Sequence, residues 1–154
     1  MIRHLLAVST LTIAGFMPTA AFTDEVSQEK TFGIQVDNAW VRATISPKVK
    51  VSAIYLDMTN ISKEDDVLLS AETAVADMAQ IHTVAENEQG VMSMSEVDGV
   101  ILPVGETVSL GQGGDHIMLM GLTEQLTAGE SIDVTLNFEQ AGMYSITVPI
   151  KSTN

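Results

Sequence analysis

An antiparallel β-sandwich or barrel is the fold this sequence predicts, and three observations carry the prediction. Apolar and polar residues alternate over short runs, most cleanly in Ile132-Val134-Leu136-Phe138, the period-two pattern of a strand with one buried face. Turn-forming dipeptides such as Asp37-Asn38 and Asp98-Gly99 break these runs at short intervals. Helical spacing competes with strand spacing in a single stretch, residues 72–86. The 154 residues, 45% hydrophobic and 18% charged, suit one globular domain large enough for a real core.

In chain order, residues 1–21 read as a secretory signal peptide: Arg3 gives a basic start, Leu5 to Phe16 an apolar run, Pro18 a break, and Thr19-Ala20-Ala21 a small-residue cleavage site. The run is shorter than the ~20 apolar residues of a spanning helix, so no stable membrane insertion is expected. Cleavage after Ala21 implies an exported protein and removes Arg3, taking the formal charge from -13 to -14. Residues 22–33, with Asp24, Glu25 and Glu29, form an acidic, loose arm, and residues 34–151 form the β-domain.

Within that domain, Ile34-Val36, Trp40-Val41 and Ile45 make a first extended pair around the Asp37-Asn38 bend, and Ser52 to Thr59 a second strand. A polar turn at Asn60 to Asp65 leads to Val67–Ala71. In residues 72–86, Val75, Met78, Ala79 and His82 fit a helix, yet Gln80 to Val84 also reads as a strand; the β context favours a loop followed by a strand. Glu86 to Gly90 then turns the chain back as Val91 to Val97, a hairpin that brings His82 near Met92 and Met94. Two short strands around Val104-Gly105-Glu106, a glycine-containing loop, the strand from His116, a long connection over residues 122–130 and two final strands complete eight or nine. Trp40 is expected in the core, with Arg42 beside it as a structural hydrogen-bonding residue.

Charge and composition exclude several functions. A net charge of -13 disfavours nucleic acid, whose phosphates need Lys and Arg, and anionic membrane surfaces. There is no cysteine, hence no disulfide, no lipid-attachment cysteine and no thiolate metal ligand.

The chemistry concentrates in His116-Ile117-Met118-Leu119-Met120. On a strand, His116, Met118 and Met120 share one face and Ile117 and Leu119 the other. Side chains two apart sit ~6.5–7 Å apart at Cα, near enough to converge on one metal. By itself this pattern equally describes a half-buried strand with packing methionines. The other histidine outside the signal, His82, also lies near methionines, the alternating pair Met92 and Met94. Thioether and imidazole donors suit Cu(I), whereas zinc sites use Cys, His and carboxylates. Outside this set, Met92 and Met120 read as packing or a sulfur-rich rim, and Met58, Met78 and Met143 as core. Asp115 reads either as a group orienting His116 or as a turn residue.

The spacing of the donors is specific. Ten residues follow Thr83 before Met94, and twenty-one more separate Met94 from His116-Ile117-Met118. Together with Trp40-Val41-Arg42-Ala43-Thr44, Ala53-Ile54-Tyr55, Asn60, Gly113 to Leu119 and Gly121-Leu122, this resembles the periplasmic CuA chaperone family (PCuAC). The resemblance implies a cupredoxin-like β-fold binding one Cu(I) through His82, Met94, His116 and Met118. It also implies delivery of the ion to an acceptor copper protein, such as a cytochrome c oxidase subunit or assembly factor. Some members carry methionine after the first histidine, where this chain has Thr83, and some a Met- and His-rich tail, where it ends Lys151-Ser152-Thr153-Asn154.

Other functions meet specific obstacles. Blue-copper electron transfer needs a cysteine with two histidines. No hydroxyl–histidine–carboxylate constellation suggests an enzyme, and Gly111-Gln112-Gly113-Gly114 precedes a strand, which is the wrong context for phosphate. A general periplasmic copper-binding or tolerance protein, and a metal-free β-sandwich interaction module, are the remaining alternatives.

Overall fold

The computed structural model describes residues 33–153; the signal peptide and all of the acidic arm but Gly33 lie outside them. Ten strands and no helix occur among the described residues: β1 (Ile34–Arg42), β2 (Val51–Asn60), β3 (Asp66–Glu72), β4 (Ala76–Glu86), β5 (Met92–Glu96), β6 (Val100–Leu102), β7 (Thr107–Leu110), β8 (His116–Leu122), β9 (Ser131–Phe138) and β10 (Gly142–Lys151). They follow one hydrogen-bonded path, β5-β4-β8-β2-β1-β10-β9-β3-β6, with β7 pairing separately on β2. Every pair is antiparallel except β1 with β10, which run parallel through Val41 and Ile150.

Alternation decides what lies inside. Val41, Ile54, Leu56, Met58, Ile81, Ile117 and Leu119 from one half of the path enclose the core with Leu68, Leu102, Val134, Leu136, Phe138 and Val148 from the other. Most of these are fully buried, and at ~1.5–3 kcal/mol for each large apolar side chain taken from water they supply the main drive to fold. The result is the all-β sandwich expected. The stretch over residues 72–86 resolves as a turn and then β4, because Ile81 faces the core at a period of two with Ala79 beside it.

Some expectations are corrected. The first extended pair is one strand, β1, with a register irregularity between Asp37 and Trp40. Asn38 supplies it with a positive φ of 52° and donates to the Asp57 carboxylate at 2.7 Å. Trp40 is not in the core. Val41 takes the inward position, so Trp40 faces outward and stacks on Tyr55, ring centroids 4.7 Å apart. Met58 is core, but Met78 and Met143 are exposed, at 52% and 77%. Both stand on outward-facing strand positions, which periodicity of the local sequence did not distinguish from inward ones.

Two buried polar residues tie the ends of the sandwich. Asn60 donates to the Glu64 and Leu102 carbonyls and accepts from Ser62. Asp66 accepts backbone N–H groups of Val67, Gln140 and Ala141. Buried polar groups need such partners, since an unpaired one costs ~1–3 kcal/mol.

Candidate metal centre

The outer face of β5-β4-β8-β2 carries the donors. Register places His82 of β4 directly opposite His116 of β8, and residues directly opposed in an antiparallel ladder point to the same face. Their rings meet edge to face with centroids 5.9 Å apart. Tyr55 of β2 follows at 6.3 Å from His116, and Trp40 of β1 continues the row. Four rings thus cross four adjacent strands at one level.

The hydrogen bonds assign the imidazole lone pairs. His116 is buried, and its Nδ1 lies 2.9 Å from the Gly114 carbonyl. A carbonyl only accepts, so Nδ1 carries the proton and the lone pair is on Nε2. In His82, Nε2 lies 3.2 Å from Gln80 Oε1; with that oxygen as the acceptor, the proton is on Nε2 and the lone pair on Nδ1. That Nδ1 is buried and has no hydrogen-bond partner. A buried acceptor without a partner asks for a physical explanation, and a bound cation supplies one. Each ring therefore has one nitrogen held by the protein and one left as a donor, the arrangement usual for metal-bound histidine.

Met118 is opposite Gln80, one step along the shared face from both histidines and half-buried. Met94 is placed differently. It lies opposite Val84, whereas the residue opposite His82 is Glu96, so Met94 is diagonal to His82 on the far side from Met118. With ~3.3 Å per residue and ~4.8 Å between strands, Met94 and Met118 are roughly 16 Å apart at Cα, farther than two thioether arms and two metal–sulfur bonds span. The structure brings His82, His116 and Met118 together and leaves Met94, 52% exposed, on the same face but displaced outward. Met92, opposite Glu86, is one step farther still.

Asp115 does not touch His116. Its carboxylate accepts from the Thr83 hydroxyl at 2.6 Å, tying the loop before β8 to β4, while the Gly114 carbonyl orients the imidazole. Gln80 was missed by sequence reasoning. Its signal was there: a polar amide two residues before His82, and so on the same strand face. Among the described residues no group of three or more His, Cys, Asp or Glu is placed to hold a metal; the soft side chains beside the two histidines are thioethers.

The fold is that of solved PCuAC domains, a cupredoxin-like β-sandwich. The apo PCuAC domain from PmoF1 is 26% identical and superposes with a TM-score of 0.68 over 79% of this chain and 95% of that one. Cu(I)-bound DR1885 from Deinococcus radiodurans is 27% identical, with a TM-score of 0.60 over 77% of this chain and 79% of that one. In sequence, residues 34–150 match the family model "Putative lipoprotein LpqE-like". A protein of Leifsonia xyli subsp. xyli, "Putative lipoprotein Lxx21020", is 38% identical over 121 residues, 77% of this chain and 70% of that one. The chain belongs to the LpqE-like family.

Proposed function

We propose that this protein is a periplasmic copper chaperone that binds one Cu(I) through His82, His116, Met118 and Met94. The observation that carries the reading is the pair of opposed imidazoles, each with one nitrogen fixed by the protein and the other left as a donor, His82 Nδ1 being buried without a partner. DR1885, of like fold, has been solved with Cu(I) bound. Neutral donors, two nitrogens and soft sulfurs, favour the monovalent ion over Cu(II) and over zinc.

The ligands divide the task. His82, His116 and Met118 form a seat on paired strands, and Met94 joins when the exposed β5 arm bends across the face. An ion held partly by an edge strand can be released by ligand exchange: an acceptor's Met, His or Cys replaces Met94 first, then the remaining donors in turn. Carriage follows from that stepwise path. The favoured recipient is a copper centre of a cytochrome c oxidase, reached through the oxidase subunit or an assembly factor.

The test is Cu(I) competition titration with X-ray absorption on the loaded protein. One equivalent bound with mixed nitrogen and sulfur neighbours is expected. A shell of oxygen and nitrogen alone would refute the assignment. Transfer is tested by mixing loaded protein with an apo oxidase copper domain and following copper by mass spectrometry.

A further inference from the structure

The soft-donor row does not end at Met118. Met120 is the next residue on the same face of β8, and the ladder pairs it directly with Met78 of β4. Directly opposed side chains in such a pair hold their Cβ atoms ~4.5–5.5 Å apart, close enough for both thioethers to touch one ion. Met78 is 52% exposed, so burial explains little of its presence on an outward strand face, and Met120 beside it is half-buried. On its other side Met120 pairs with Val51, whose exposed side chain gives an apolar wall. Lys50, bonded to the Leu122 carbonyl at 2.9 Å, closes this end of the face.

Spacing links this pair to the histidine seat. Met118 stands between His116 and Met120, ~6.5–7 Å at Cα from each, and its flexible side chain can lean toward either. We propose that Met78 and Met120 form a second, weaker site for a soft monovalent cation, with Met118 as the ligand that passes the ion between it and the histidines. The proposal rests on the histidine seat being a Cu(I) site. Thioethers alone bind less firmly than a set including imidazoles, so the outer pair fills second. It lies at the opposite end of the face from Met94, giving the ion a way in or out that does not depend on β5.

The experiment titrates Ag(I), a redox-inert soft cation, into protein labelled with 13C at the methionine methyls and follows each methyl by NMR. The first equivalent should move Met118 and Met94, and the second Met78 and Met120. Met78→Leu/Met120→Leu, a swap that conserves volume, should keep the first step and lose the second. Unmoved Met78 and Met120 methyls at excess Ag(I), or a second step surviving in that variant, would overturn the outer site. A first equivalent that leaves Met118 still while Met78 and Met120 move would instead refute the histidine seat, and with it the order of filling and the relay through Met118.

Discussion

Strands β8 and β5 both present methionine at alternate positions, and the fold treats them in opposite ways. β8 is paired on both sides, by β4 and β2, and Ile117 and Leu119 anchor its inner face in the core with no exposure at all. β5 pairs with β4 alone, and each of its five residues is exposed. Donors on β8 are positioned by packing; those on β5 are positioned by a hairpin turn. In the proposed carrier the two kinds act together, since a seat made only of fixed ligands would release slowly and one made only of edge ligands would hold weakly.

Breaking the fixed half should have the largest effect. His82→Ala/His116→Ala is expected to abolish Cu(I) binding in a chelator competition, and equal loading with wild type would end the ligand assignment. His116→Ala alone should also lower thermal stability, because it deletes a buried ring and its bond to Gly114, worth ~0.5–1.5 kcal/mol for the hydrogen bond. Met94→Ala should weaken Cu(I) binding while leaving the melting temperature unchanged, and calorimetry of the two apo variants makes the contrast directly. Gln80→Leu frees the His82 Nε2–H and should weaken binding by ~10–100-fold, the usual cost of losing a partner behind a metal ligand. Met143→Ala, far from the donor face, should change neither reading.

The smallest effect lies away from the site. The Asn38 amide and the Ser109 hydroxyl hold the Asp57 carboxyl below its ordinary value of 3.8. A depressed carboxylate contributes stability above its unfolded value and loses it as pH falls through the folded one. Asp57→Asn should therefore cost a little stability at neutral pH, with the difference vanishing in chemical denaturation below the depressed value.

Much of this molecule was legible beforehand, and the failures have a common cause. Ile117 and Leu119 against His116 and Met118 gave the faces of β8 correctly, since alternation is local. Trp40, Met78 and Met143 were placed inward by hydrophobicity alone, and all three face out because their neighbours in the strand took the core positions. Asp115 sat beside His116 in sequence, yet its carboxylate crosses to Thr83. Gln80, which hydrogen-bonds the His82 ring, belonged to no motif.

The amino-acid sequence by itself determined the kind of chemistry: soft, neutral donors at fixed intervals in a chain without cysteine, on strands whose period of two sends them to one face. Only the tertiary structure decided which of them meet. Register across the β4–β8 ladder sets His82 against His116, and register across β4–β5 sets Glu96 rather than Met94 against His82. Pairing between strands is a long-range choice made by packing and turn geometry together, and no local spacing encodes it.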